Sequence, residues 1–135
     1  MVDEKSRSVV LADKHQYLLE GIRSLLQTVF ETVVMVADRR SLFEAIEKVK
    51  PALAVVDMSL PPTGGASIAQ EIKQDFPDLK LVILGIHNEP TVVDEIMSAG
   101  ASAFVLKQSA AVDLFEAVQC VREGRTFVSR LADKQ

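Results

Sequence analysis

The chain has 135 residues, a length typical of a single globular domain, and 48% of them are hydrophobic, which excludes a disordered polymer. It has 19 acidic and 15 basic residues, and the resulting net charge of −4 disfavours nucleic acid as its direct partner. One cysteine excludes an internal disulfide and the apolar runs are too short to span a bilayer, so we expect a cytoplasmic protein without membrane contact.

Five short apolar runs alternate with five amphipathic segments. The runs are continuous in hydrophobicity, as in strands that are buried on both faces, and they are Ser8–Ala12, Val33–Ala37, Leu53–Val56, Leu79–Leu84 and Ala103–Leu106. Apolar residues at helical spacing mark the segments around 18–29, 42–49, 68–76, 92–97 and 114–121. The alternation predicts an α/β fold: a single doubly wound, five-stranded parallel sheet with helices on both faces and a flavodoxin-like order, 2-1-3-4-5.

Capping residues predict where several helices begin and end. Ser41, with Glu44 three residues on, has the capping-box pattern and predicts the start of the second helix. Pro90 suits the first turn of the fourth helix, and Gly100 suits its end. The domain is predicted to span residues 7–125, and the tail 126–135 to be either the start of a linker helix capped by Ser129 or a disordered terminus.

Charged side chains follow three of the predicted strands. Asp57 ends the third strand, just before a loop rich in Pro and Gly, while Asp13 follows the first strand and Lys107 the fifth. The carboxyl ends of parallel strands form the ligand-binding edge of an open α/β sheet. Carboxylates beside a lysine are typical of phosphoryl transfer, which depends on positioning and charge neutralisation, and magnesium is commonly held by one or two carboxylates.

The segments around these residues closely resemble the receiver domain of two-component response regulators over about residues 7–125. The resemblance is carried by residues 9–15, 55–61 with Gly65, and 100–107, in that order along the chain. Residues 84–88 and 127–131 resemble the branch in which the receiver precedes a LuxR/NarL-type helix-turn-helix domain.

The resemblance implies a signalling domain in a phosphorelay, not an enzyme. Asp57 would accept a phosphoryl group from a histidine kinase or phosphotransfer protein, and Lys107 would contact that group. Asp13, Asp57 and the backbone of Ser59 would hold magnesium. We expect homodimerisation through the helix 4–strand 5–helix 5 face, and a transcriptional output from a DNA-binding domain that this chain lacks.

Two positions depart from the family pattern. Lys14 stands where the family has a second acid, and Gly85 stands where it has a hydroxyl residue, although the partner aromatic is present as Phe104. A lysine at about 4 Å from Asp57 would attract it by up to about 4 kcal/mol at an effective dielectric of about 20. We therefore expect Lys14 to lie where the metal would bind and to leave the magnesium site weak or absent; the alternative is that Lys14 points into solvent from the loop. We expect Gly85 to remove the usual hydroxyl from the switch.

Three functions are compatible with these patterns. The first is a phosphoaccepting receiver, and the second is a degenerate receiver that acts as a phosphorylation-independent interaction or dimerisation module. The third, a flavodoxin-like ligand-binding protein or small enzyme, is disfavoured because residues 13–16 form no phosphate-binding loop and the chain has one Tyr and no Trp to sandwich a flavin. Two histidines far apart in sequence, without a cluster of further ligands, do not suggest zinc.

Overall fold

Strands and helices alternate throughout the computed structural model, which describes residues 7–15, 20–60 and 65–130. A short 3-10 turn, Lys107–Ser109, connects the fifth strand to the last helix. The elements in chain order are β1 Ser8–Ala12, α1 Glu20–Gln27, β2 Thr32–Val36, α2 Arg39–Val49, β3 Leu53–Asp57, α3 Gly65–Asp75, β4 Lys80–Gly85, α4 Pro90–Ser98, β5 Ala103–Leu106, α5 Ala110–Arg122 and β6 Phe127–Val128.

All strands pair in parallel, in the order β2-β1-β3-β4-β5-β6. The predicted order of the first five strands is confirmed. In this order β1 and β3 are neighbours, and β4 lies between β3 and β5. The carboxyl ends of β1, β3, β4 and β5 therefore share one edge of the sheet, where the predicted site residues lie.

The sixth strand differs from the prediction. Phe127–Val128 was expected to begin a helix or a disordered tail, but it pairs with Ala103 and Phe104 of β5, and the Ser129 amide donates to the Phe104 carbonyl at 2.9 Å. Ser129 thus lies in extended chain and caps no helix in the described range, while the rest of the predicted tail, 131–135, lies outside it. The physical reason is that the outer edge of β5 exposes unpaired amide and carbonyl groups, which an extended segment can satisfy.

Two hydrophobic layers cover the two faces of the sheet, because successive strand residues point to opposite sides. The first layer packs strand residues such as Val10, Ala54 and Leu81 against α2, α3 and α4. The second packs strand residues such as Leu11 and Val55 against α1 and α5. The predicted doubly wound architecture is confirmed.

The helix ends agree with the predicted caps at α4 and differ at α2. Pro90 is the first residue of α4, and Gly100 follows that helix with a φ of 115°. Helix α2 begins earlier than predicted, since Asp38 is its N-cap and accepts the Ser41 amide hydrogen at 2.8 Å. That hydrogen bond holds the pKa of Asp38 below its usual value.

The helices are short. The longest in the described part of the chain, α5, has 13 residues, and none there combines the length and apolar character needed to cross a membrane.

Lys50 ends α2 in the left-handed region, with φ 51° and ψ 60°. A side chain in this conformation is strained, whereas glycine adopts it freely. We expect Lys50→Gly to raise the free energy of unfolding by about 0.5–1 kcal/mol, measured by urea denaturation. Lys48→Gly is the matched control, because it lies inside the same helix, and it should lower stability by about 1 kcal/mol. Equal destabilisation by both changes would contradict the left-handed cap.

Candidate functional site

Three charged side chains from three strand ends meet at the carboxyl edge of the sheet. Asp57 is the last residue of β3, Asp13 directly follows β1, and Lys107 directly follows β5. The Lys107 ammonium lies 2.6 Å from Oδ2 of Asp13 and 3.4 Å from Oδ1 of Asp57. The structure thus brings together the three residues that the sequence placed at this edge.

Because Asp13 and Asp57 are buried, they depend on Lys107 for a counter-charge. Asp13 and Asp57 are both 0% exposed, and the Lys107 side chain is 22% exposed. A buried carboxylate without a counter-charge costs several kcal/mol, and two side by side also repel each other. One ammonium between two carboxylates leaves this cluster with a net charge of −1, enough to attract a metal cation.

One carboxylate oxygen of Asp13 accepts a backbone hydrogen bond, and the other oxygen can still accept a ligand. Its Oδ1 accepts the His15 amide hydrogen at 2.8 Å. Its Oδ2 faces the Lys107 ammonium, but neither that contact nor any other within the described ranges meets hydrogen-bond geometry. The contact is therefore a close charge pair that is poorly aligned as a hydrogen bond, and Oδ2 can still accept a ligand.

Ser59 brings a hydroxyl to Asp57, a contact that the sequence reasoning missed. The Ser59 hydroxyl donates to Oδ2 of Asp57 at 2.8 Å, and its amide donates more weakly to Oδ1 at 3.4 Å. The prediction had assigned only the backbone of Ser59. The sequence signal for this contact is the spacing of two residues between Asp57 and Ser59, since an aspartate commonly accepts hydrogen bonds from the residue two positions later.

Position 85 has no room for a side chain. A Cβ on Gly85 would lie 2.5 Å from Cζ of Phe104 and 2.8 Å from Sδ of Met58. Phe104 is fully buried, and its ring fills the space that a hydroxyl side chain at position 85 would take. The inward position of the Phe104 ring is therefore compatible with glycine at position 85 and not with a hydroxyl residue there.

Lys14 does not lie beside the carboxylates, contrary to expectation. Its side chain is exposed, and no ion pair within 4.0 Å joins it to a carboxylate in the described part of the chain. Lys107 provides the neighbouring positive charge instead. The physical reason is that an ammonium keeps its hydration at the surface, whereas a second buried cation would lose it.

The residues present fit a magnesium ion with few protein ligands. No group of three His, Cys, Asp or Glu side chains among the described residues could hold a metal by itself. Magnesium, however, usually takes one or two carboxylates and completes its shell with water and phosphate oxygens. Asp13 and Asp57 would provide those two carboxylates, and Oδ2 of Asp13 accepts no hydrogen bond from any described residue, so it can take a further ligand. A backbone contribution from Ser59 stays a prediction.

Sequence comparison identifies similar proteins. The family model described as the response regulator receiver domain matches residues 9–119. The chain is 31% identical to the transcriptional regulatory protein DegU of Brevibacillus brevis over 129 residues, covering 94% of this chain and 55% of that protein. It is also 31% identical over 137 residues to the transcriptional regulatory protein RcsB of Escherichia coli K12, covering 94% and 63%. The chain thus spans less than two thirds of these relatives.

Solved structures show the same fold. The isolated receiver domain of RcsB from Salmonella enterica serovar Typhimurium, with the phosphomimetic BeF3−, has a TM-score of 0.83 and 28% identity, with coverage of 93% of this chain and 94% of that one. The non-phosphorylated RcsB receiver domain of Escherichia coli gives 0.83 and 27%, covering 93% and 99%. A LuxR-family response regulator from an Aurantimonas species gives 0.80 and 25%, covering 89% and 87%.

The packing of Phe104 on Gly85 predicts an energetic coupling between the two positions. We expect Gly85→Ala to lower the free energy of unfolding by about 1–3 kcal/mol, because the new Cβ overlaps the ring. Phe104→Ala should cost about 3–5 kcal/mol through the cavity that it leaves. The double variant should cost less than the sum by at least about 1 kcal/mol, since the shortened side chain makes room, as measured by a urea-denaturation double-mutant cycle.

The matched control is Gly21→Ala, which lies in α1, where no atom of the described residues comes within 4 Å of the added Cβ. This change should stabilise the protein by about 0.5–1 kcal/mol, as alanine does in a helix. Additive costs for Gly85→Ala and Phe104→Ala would contradict the proposed overlap.

Proposed function

We propose, because this chain belongs to the response regulator receiver family, that Asp57 accepts a phosphoryl group and that its phosphorylation controls a downstream output. The observation that carries the proposal is the fully buried Asp57 at the end of β3, with the Lys107 ammonium 3.4 Å from its Oδ1. Receiver domains are signalling modules, and the only reaction they need to support is the phosphorylation and dephosphorylation of their own aspartate. A cytoplasmic role beside a histidine kinase agrees with this.

The transfer would proceed from a phosphohistidine donor of a histidine kinase or phosphotransfer protein. The phosphorus–nitrogen bond of the donor breaks as a carboxylate oxygen of Asp57 bonds to phosphorus, and the imidazole leaves and takes a proton from water. Negative charge spreads over the phosphoryl oxygens during this step. Lys107 is the described cation placed to neutralise it, as a point charge at the end of a flexible stem.

Magnesium would supply further charge neutralisation at the same oxygens. Asp13 and Asp57 would hold it, and the fully buried Asp13 would have its carboxylate oriented by the amide of His15. The exposed Lys14, where the family has a second acid, weakens this site by removing a ligand and by repelling the ion through solvent. The proposed site should thus bind magnesium more weakly than a site with the second acid of the family pattern, and the Lys14 ammonium does not take the place of the ion.

A second candidate function is an interaction module that works without phosphorylation. It is favoured by one observation: Phe104 already fills the space at Gly85, so the pair of a hydroxyl and a mobile aromatic is not available to report on Asp57. The surface for dimerisation or a partner would be the α4–β5–α5 face. In this structure β6 extends that face, because it pairs with the outer edge of β5.

The output is proposed by analogy with longer relatives. Solved structures include one described as two RcsB dimers bound to two parallel DNAs, and this chain covers 64% of that chain. A DNA-binding output would reside in a domain outside these 135 residues.

Phosphorylation is tested with acetyl phosphate and intact-mass measurement, with and without magnesium. We expect the gain of one phosphoryl group, faster with magnesium and abolished in Asp57→Asn. Lys107→Ala should slow it at least about tenfold, the rate equivalent of about 1.4 kcal/mol in the barrier. Asp94→Asn, an exposed acid on α4, is the matched control and should react like the unmodified chain. No mass gain under any condition would reject this function in favour of the interaction module.

The weakening of the magnesium site by Lys14 is tested with Lys14→Asp. The substitution changes the local charge by two units, worth about 2 kcal/mol on the doubly charged ion at about 8 Å in water and about 1 kcal/mol after screening by about 0.1 M salt. Magnesium affinity should therefore rise about fivefold in isothermal titration calorimetry at that salt concentration. Lys80→Asp makes the same charge change at the opposite end of β4 and should leave the affinity nearly unchanged. Equal effects of the two substitutions would show that net charge alone matters.

A further inference from the structure

Only three polar or charged residues are classed as buried in the described part of the chain: Asp13, Asp57 and Ser129. The first two form the phosphoacceptor site. Ser129 is 2% exposed and lies just after β6, at the outer edge of the sheet. The proposed phosphoryl transfer does not involve it directly. A buried hydroxyl is stable only when it is hydrogen-bonded, so its partners show what it holds together.

Ser129 connects three elements through three hydrogen bonds. Its hydroxyl donates to Oδ2 of Asp113 in the first turn of α5 at 2.6 Å and accepts the amide hydrogen of Leu106 at 3.2 Å. Its own amide donates to the carbonyl of Phe104 at 2.9 Å. One side chain therefore fixes the end of β5 to α5 and to the tail.

The amide that Ser129 binds lies next to the phosphoacceptor site. Leu106 is the last residue of β5, and the next residue is Lys107, whose ammonium contacts both buried acids. On the other side, Leu106 is in register with Gly85 of β4. The backbone that carries Lys107 is thus held from β4 on one edge and from the Ser129 hydroxyl on the other.

We propose that Ser129 is a positioning residue for the phosphoacceptor site: by fixing the backbone at Leu106, it sets where the Lys107 ammonium lies between Asp13 and Asp57. This inference rests on the proposed function. Without the hydroxyl, the Leu106 amide and the Asp113 carboxylate both lose their partner, and the end of β5 is free to shift. A lysine placed even 1 Å away stabilises the transferred phosphoryl group less well.

The connection acts in both directions. If the position of the tail affects how favourably the site takes a phosphoryl group, phosphorylation must affect the docking of the tail by the same free energy. Hydrogen exchange at the Ser129 amide, which is bonded to Phe104, should therefore change on phosphorylation. An unchanged exchange rate would contradict this reciprocal effect.

The main experiment compares Ser129→Ala with Ser129→Thr and Val128→Ala. Ser129→Ala should lower the maximal rate of phosphorylation by acetyl phosphate about fivefold, roughly the effect of one hydrogen bond, with an unchanged half-saturating donor concentration. Ser129→Thr keeps the hydroxyl and should restore most of the rate. Val128→Ala is the control, because it alters an exposed side chain of β6 and leaves the hydroxyl in place. Equal rates in Ser129→Ala and the unmodified chain would overturn the proposal.

A double-mutant cycle separates positioning from a general loss of stability. In a Lys107→Ala background, Ser129→Ala should slow phosphorylation no further, since the lysine that it positions is gone. A purely structural role would lower the rate equally in both backgrounds and would also overturn the proposal.

Carbon-13 signals of the Asp13 and Asp57 carboxyl groups provide a readout that does not need phosphorylation. Ser129→Ala should shift both signals, because the ammonium between them moves, and Val128→Ala should shift neither. If the unmodified chain takes up no phosphoryl group, the proposed function fails, and these signals still decide the role of Ser129. Unshifted signals in Ser129→Ala would reject that role even if Asp57 is phosphorylated.

Discussion

The rest of the site depends on one ammonium between two buried carboxylates. Asp13 and Asp57 are neighbours because β1 pairs with β3, and their burial is tolerated because Lys107 supplies the opposite charge. Strand β4 separates Lys107 from Asp57, a distance of about two strand spacings, or roughly 10 Å across the sheet. A long, flexible side chain is needed to cover that distance, which suits lysine.

The packing beside this cluster limits how it can respond. In the structure the Phe104 ring occupies the space next to Gly85, so the end of β4 is already filled by an apolar group. Dense packing allows few alternative positions, since moving a buried ring needs space elsewhere. The polar site at Asp57 therefore lies beside a tightly packed end of β4. A structural response to phosphorylation would have to use contacts other than those of Gly85 and Phe104.

The sixth strand extends the same arrangement toward the surface. It covers the outer edge of β5, which would otherwise expose backbone groups, and Ser129 makes that covering specific by bonding to Leu106 and Asp113. Lys107 follows Leu106 directly, so the end of β5 is shared between the charged site and the tail. The hydrogen bonds of the outer strand are thus joined to the buried charges through the backbone from Leu106 to Lys107 and the ion pairs of Lys107.

The sequence by itself determined the alternation of strands and helices, the order of the first five strands and the edge that carries Asp57. These follow from local patterns, because the period of hydrophobic residues and the first polar residue after each run are properties of short segments. Only the tertiary structure decided the exposure of Lys14, the Ser59 hydroxyl at Asp57, the ring against Gly85 and the pairing of β6. Those features depend on rotamers, and on distances between residues that are mostly far apart in sequence, which no local pattern specifies.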